Sequence, residues 1–362
     1  MRVLVVHSAG SAGSIHYRVT EPVRAIRESG IDVDIHTTVG LTTTVRDDAV
    51  VDVEVGDFDV VVLQLPKTEA MLQSLRILKD KGLAVVVEGD DLLSGVPYGH
   101  MAHGALLRKG MARMMLECAR EADLVTVSTP ALLEEYASHG RGVVVPNALH
   151  RSLAELPPAY ERDAETVAVG WTGNVLGHPY DLQEMGSGLR QALDRTRGRS
   201  RFVVFGQKWD AWSRLGLTED PEEIPWVKDT YEYVTRMGEV FDIGIAPLRM
   251  DRFNECKSWL KPLEYSARGV FCVRARTPEY ERLGLGLPAK SPKDWAKWVA
   301  TGIEDLDRRR ELAAAARDKV LAGHLTEHTA PRWVDAWRTA LDNSAKRRGA
   351  GRPTAGLAPA AR

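Results

Sequence analysis

Short unbroken apolar runs recur along the chain, separated by amphipathic stretches. Residues 3–6, 60–65, 83–87, 124–127 and 143–145 are rich in Val and Leu and are bounded by turn formers. Strands buried on both faces read this way. Between them, residues 21–29 and 68–81 carry helical spacing and end at Gly30 and Gly82, where a C-terminal cap belongs. Around residues 149–165 the pattern breaks, and Pro157-Pro158 among clustered charges reads as a linker. A second alternation follows, with strands expected over 167–171, 202–205, 243–246 and 270–273 and helices over 306–321 and 326–341. The pattern predicts an α/β chain of two doubly wound Rossmann-like domains facing a central cleft. We place the first at 1–150, the linker at 151–165 and the second at 166–325. A C-terminal helix over 326–344, with Trp333 and Trp337 one turn apart, is expected to pack back on the first domain, before a disordered basic tail at 345–362.

Charge narrows the picture. The 362 residues hold 48 Lys and Arg against 50 Asp and Glu, a net charge of −2. The tail alone carries Lys346, Arg347, Arg348, Arg352 and Arg362, leaving the remainder near −7. A dedicated basic nucleic-acid coat and a long acidic disordered chain are both excluded. Cys118, Cys256 and Cys272 are odd in number and lack CxxC spacing, so neither a disulfide framework nor a zinc module is expected. The opening apolar run is too short for a signal-peptide core, and no stretch approaches 18 apolar residues. A soluble, cytoplasmic protein without an integral membrane segment is the expectation.

The strongest chemical signal lies at residues 253–269, FNECKSWLKPLEYSARG. Lys257, Lys261 and Glu264 are spaced i, i+4, i+7 and share one face of a helix, opposite Trp259, Leu260, Leu263 and Ala267. Pro262 belongs in a first turn, which puts the helix start near Ser258 as N-cap. Two lysines beside the free N–H groups of a helix start form an anion site. Glu264, one turn deeper, can accept hydrogen bonds from vicinal hydroxyls such as those of a ribose. The same spacing also describes a solvated face with a Lys–Glu pair.

Three loops are expected at the same cleft. After the first strand, HSAGSAGSIHYR is rich in small residues that let backbone approach a ligand, with Gly13, Ser14, Tyr17 and Arg18 as candidates. It matches neither GxGxxG nor GxxxxGK[ST]. In WTGNVLGHPYD, Gly173 and Asn174 can offer backbone donors to a phosphate, and His178 can reach a sugar or phosphate oxygen, although a lone loop histidine also serves as a surface or capping residue. In EGDD, Asp90 and Asp91 end a strand and can bind acceptor hydroxyls. The pairs Asp32/Asp34 and Asp57/Asp59 read as solvated or capping groups, and no metal site is expected. No GxSxG elbow is present.

The segment at 253–269 resembles the second-domain motif of GT-B glycosyltransferases, above all the retaining family 4 group (glycosyl transferases group 1). The resemblance extends to residues 17–30, 122–136, 143–149 and 169–182 in the same order. It implies an acceptor-side first domain, a donor-side second domain and a nucleoside-diphosphate sugar as donor substrate, with no further cofactor. Lys257 and Lys261 would then face the departing diphosphate as the catalytic cations, and Glu264 would hold the ribose. Ser258, Gly173, Asn174 and His178 would complete the donor side. Many members carry another Glu eight residues before the ribose-binding one. Here that position is Cys256, so either Glu255 substitutes through a shifted loop or the donor sugar is recognised differently. The resemblance further implies transfer with retention and without a metal. The acceptor stays open between a glycan, a small molecule and a hydroxylated DNA base. A sugar-nucleotide epimerase and a non-catalytic nucleotide-sugar binder of the same fold remain the other readings.

Overall fold

The computed structural model describes residues 1–8 and 12–350. Of the first glycine- and serine-rich loop, Ala9, Gly10 and Ser11 lie outside the described residues, as do Arg352 and Arg362 of the expected tail.

The strands of the first domain are β1 (Arg2–His7), β2 (Asp34–Val39), β3 (Thr42–Arg46), β4 (Ala49–Glu54), β5 (Val60–Gln64), β6 (Ala84–Gly89), β7 (Leu124–Val127) and β8 (Gly142–Val144). Six of them form a parallel sheet in the order β2-β1-β5-β6-β7-β8. β3 and β4 make a separate antiparallel ribbon whose alternation of Thr, Val and charge was not read as strand from the sequence. The second domain holds β9 (Val167–Asn174), β10 (Ser200–Gln207), β11 (Glu222–Ile224), β12 (Ile243–Ala246), β13 (Phe271–Ala275) and β14 (Leu287–Ala289). They form a parallel sheet ordered β11-β10-β9-β12-β13-β14. β11 and β14 are edge strands of three residues, too short to leave a periodic trace.

Each strand order reverses at one point, between β1 and β5 in the first sheet and between β9 and β12 in the second. Loops leaving a sheet on either side of such a reversal part from each other and open a crevice. Residues at or after the ends of β1, β6, β9, β10 and β12 line a common cavity between the domains.

The domains exchange side chains across their junction. Tyr17, from the first domain, packs within the apolar cluster of the second. Phe253 and Cys256, from the loop after β12, are buried in the cluster of the first. Thr129 Oγ1 donates to the Cys256 carbonyl at 3.0 Å, and Trp259 Nε1 donates to the Asn147 carbonyl at 2.8 Å. Across the cleft mouth, Tyr180 Oη donates to the Tyr98 carbonyl at 2.7 Å.

The last helix, Thr326–Ala350, lies on the first sheet, with Trp333, Val334, Trp337 and Ala340 buried against β1, β5 and β6. It runs further than the sequence suggested. Lys346, Arg347 and Arg348 are helical rather than part of a disordered tail, because the inner face still has partners there. Ser344 is buried, and Arg347 pairs with the buried Asp123 at 2.8 Å. No helix among the described residues is long and apolar enough to cross a membrane.

Candidate active site

Between the domains lies a cavity of about 670 Å³. From the first domain it is lined by Gly13, Ser14, Tyr17, Asp90, Asp91 and Met101. From the second come Gly173 and Asn174 at the end of β9 with His178 beyond it, Gly206 and Gln207 at the end of β10, and Leu260, Lys261 and Glu264. Trp226, Thr230 and Tyr233 close its far end.

The floor is built by two glycines. β9 and β10 pair to their last residues, Gly206 opposite Gly173 and Gln207 opposite Asn174. Both glycines have positive φ, +142° and +141°, and a Cβ on Gly206 would sit 2.0 Å from the Gly173 carbonyl oxygen. Only glycine at both positions lets the strands stay paired as the backbone turns into the cavity.

The helix carrying Lys261 and Glu264 spans Leu260–Ala267, with Trp259 as an N-cap that makes no side-chain cap bond. The expected Ser258 cap fails because Ser258 Oγ is engaged elsewhere, accepting from Asn147 Nδ2 at 2.8 Å. Lys257 therefore precedes the helix. Its ammonium lies 3.6 Å from Asp91, which lines the cavity, and 4.2 Å from the Phe253 ring centroid, but Lys257 is not itself among the lining residues. Lys261 points into the cavity and, among the described residues, forms no ion pair or hydrogen bond. Burial lowers its pKa to about 8, and neighbouring Lys257 adds to the effect. A cation kept without a counter-ion in such a cavity is prepared for an anion.

Glu264 is 4% exposed. Its Oε1 accepts from Tyr17 Oη at 2.5 Å and its Oε2 from Tyr233 Oη at 2.9 Å. Burial pushes its carboxyl up, while the two phenols and Lys261 oppose that. Next to it, His178 Nδ1 bonds Asp181 Oδ2 at 2.7 Å, and Asp181 Oδ1 accepts from the Arg249 backbone N–H and from Asn254 Nδ2. Burial, with Lys261 and Lys257 nearby, lowers His178 to about 4. Burial thus favours the neutral ring, which the Asp181 carboxylate holds in place. Asn174 lines the cavity, and its side-chain Nδ2 donates to Gln207 Oε1 at 2.6 Å.

On the opposite wall, Ser14 Oγ donates to Asp90 Oδ2 at 2.5 Å, and Gln64 Nε2 donates to Ser14 Oγ at 3.1 Å. Burial and then Asp91 push the Asp90 carboxyl upward. Among the described residues, no three His, Cys, Asp or Glu side chains gather as a set that could hold a metal ion.

Four expected site residues are not among those lining the cavity: Lys257 and Ser258, which stand just before the helix, and Arg18 and Glu255, which lie elsewhere. Arg18 does not face the cleft. It is a buried pillar that donates to Glu88 at 2.6 Å, to the Val145 carbonyl at 2.6 Å and to Asn147 Oδ1 at 2.9 Å, with its guanidinium 4.6 Å from the Trp333 ring. The π-helical turn His16–Thr20 sends Tyr17 toward the cavity and Arg18 into the first domain. Glu255 does not replace the missing acid, since it joins Arg252 in a surface cluster with Glu134 and Glu135. Cys256 is fully buried and turned from the cavity. Asp34 and Asp57 pair with Arg2 on the surface, as expected of solvated groups. Sequence reasoning missed Met101, Thr172, Gly206, Gln207, Trp226, Thr230 and Tyr233, and it put Leu260, which also lines the cavity, on the opposite, buried face. Of these, only the exposed Trp226 in a loop left a trace in the chain.

Residues 187–335, less than half of the chain, match the protein family described as "Glycosyl transferase-like". No curated protein matches by sequence. Solved structures align over nearly the whole chain. HepE from Anabaena, in complex with UDP-glucose, shares 15% identity over 94% of this chain and 100% of its own, with a TM-score of 0.63. Sucrose-phosphate synthase from Thermosynechococcus elongatus shares 13% over 94% and 99%, with a TM-score of 0.62. Trehalose-6-phosphate synthase OtsA shares 12% over 93% and 99%, with a TM-score of 0.60. The fold is thereby the two-domain GT-B fold.

Proposed function

We propose that this GT-B glycosyltransferase takes a sugar from a nucleoside-diphosphate sugar and transfers it to an acceptor with retention, using lysines rather than a divalent metal at the leaving group. The observation that carries the reading is the pairing of Lys261 and Glu264. A cation without a counter-ion and a phenol-held carboxylate face one cavity, one turn apart on one helix.

The chemistry follows from the charges. As the bond from the anomeric carbon to the diphosphate breaks, negative charge grows on the phosphate oxygens. Lys261, Lys257 and the free N–H groups at the start of Leu260–Ala267 are the groups that would stabilise such charge. The backbone around Gly173 and Asn174 offers further donors from the end of β9. Neutral His178 suits a sugar hydroxyl better than a phosphate. The acceptor enters from the first-domain wall, where Asp90 and Ser14 can orient its hydroxyls. In a retaining transfer the acceptor attacks from the face the diphosphate leaves, and the departing phosphate takes the acceptor proton, so no strong protein base is required.

HepE carries UDP-glucose in its complex, which makes UDP and UDP-glucose the first ligands to try. The test is thermal stabilisation by UDP, GDP, ADP, CDP and TDP and their common sugar conjugates, with and without EDTA. One series is expected to raise the melting point by mass action, insensitive to EDTA and lost in Glu264→Ala. Stabilisation by none of them, or equal stabilisation of Glu264→Ala, would overturn the reading.

A further inference from the structure

This inference rests on the reading of Glu264 as the acceptor of the nucleotide's ribose hydroxyls. We propose that Tyr17 and Tyr233 are positioning residues for that carboxylate, one from each domain, each holding one oxygen so that the lone pairs left over face a vicinal diol together.

The geometry is specific. A carboxylate offers about four lone-pair sites. Tyr17 Oη takes one on Oε1 and Tyr233 Oη takes one on Oε2. Neither ring is free to turn away. Tyr17 is 5% exposed, packed in the second-domain cluster and set edge-on to His16 with centroids 4.8 Å apart. Tyr233 is held between Phe205 at 5.4 Å and Trp226 at 5.0 Å. The plane of the carboxylate is therefore fixed before any ligand arrives.

The phenols also govern its charge. A buried carboxyl tends to keep its proton, and a protonated Glu264 would lose an acceptor site needed by a diol. The groups facing it are Tyr17 from the π-helical turn, Tyr233 from the helix Thr230–Val240, Tyr280 from the helix Pro278–Leu283, and Lys261 and Tyr265 from its own helix. Lys261 is the single cation among them. The two phenol bonds and Lys261 favour the ionised form against burial, which pushes the carboxyl up. Because Tyr17 arrives from the acceptor-side domain, the diol site is complete only when the domains are apposed.

The experiment is calorimetric titration of the full chain with the best-binding nucleoside diphosphate of the panel, from pH 5.5 to 8.5, for the parent, Tyr17→Phe, Tyr233→Phe and Glu264→Gln. Phenylalanine keeps each ring and removes only the hydroxyl, and a ligand-free melt of each variant verifies folding. A charge-assisted hydrogen bond is worth about one to two pH units on its acceptor. Removing either hydroxyl should therefore move the acid limb of binding up by about that much. Affinity is expected to fall about tenfold at the acid end of the range and to change less than about threefold at its alkaline end. Tyrosine variants whose limb does not move, or that weaken binding equally at every pH, overturn the positioning role. Glu264→Gln with parental affinity would instead overturn the Glu264 reading, so the two failures are distinguishable.

Discussion

Asp91 and Lys257 face each other across the cleft, one on each domain, with carboxylate and ammonium 3.6 Å apart. Their side chains are 40% and 20% exposed, so solvent screens the pair and it contributes no more than about 1 kcal/mol. A diphosphate offers Lys257 a stronger partner. Asp91→Asn is expected to tighten nucleoside-diphosphate binding about threefold, and Lys257→Ala to weaken it about tenfold, both read by calorimetric titration. Opposite signs are the point. If both substitutions weaken binding, Asp91 helps to hold the ligand rather than competing with it.

If Lys261 serves the proposed transfer as a cation, the reaction acquires a basic limb. Its pKa is lowered to about 8 by burial, so the free protein loses this cation as pH rises through that value. kcat/KM for the nucleotide sugar should fall above pH 8, and Lys261→Ala should lower it on the order of a hundredfold or more at pH 7. Stability runs the other way. Because the folded pKa lies below the unfolded one, ligand-free stability should rise between about pH 8 and the ordinary lysine range. Lys261→Met should abolish that rise and melt higher at pH 7 than the parent. A pH-independent difference between the two melts would contradict the assignment.

Arg18 and Glu88 make a purely structural prediction. Both side chains are essentially inaccessible, with 0% and 1% exposure. Arg18 links the turn after β1 to β6, to the segment after β8 and to Trp333 of the last helix. Removing one partner leaves a buried charge without compensation. Arg18→Ala should lower unfolding free energy by about 3–5 kcal/mol in urea titration, while surviving protein keeps its nucleotide affinity. A large loss of affinity with unchanged stability would return Arg18 to the cleft.

Gly206 tests the cavity floor. A methyl group there meets the Gly173 carbonyl oxygen, at a φ of +141° that side chains rarely adopt. Gly206→Ala should destabilise the chain by about 1–3 kcal/mol and remove most nucleotide stabilisation, because the ends of β9 and β10 must part. Gly198→Ala offers a control for positive φ alone, since its φ is +78° and nothing lies within 4 Å of its Cβ. It should cost stability and spare binding.

Much of this was legible in the chain because a parallel sheet covered on both sides leaves continuous apolar runs. Residues 60–65 and 83–87 are such runs, and they became β5 and β6 almost without change. Lys261 and Glu264 were legible from helical spacing, Gly173 as a small residue at the end of a strand, and Asp90 from its place just after one. The short edges β11 and β14 and the ribbon β3–β4 were not, because three paired residues or a solvated ribbon need no long apolar pattern.

What the sequence determined by itself was the alternation of strand and helix, hence two doubly wound domains, and the spacing that puts Lys261 and Glu264 one turn apart. Those are local properties, fixed by periodicity within a few turns of chain. The tertiary structure alone decided that Tyr17 reaches Glu264 over 247 positions while its neighbour Arg18 turns away to Glu88. It also decided that Cys256 and Glu255 leave the cavity, and that Arg347 finds Asp123 instead of solvent. Pairings of this kind depend on how two sheets and a returning helix stack in space. Separation along the chain carries no record of it.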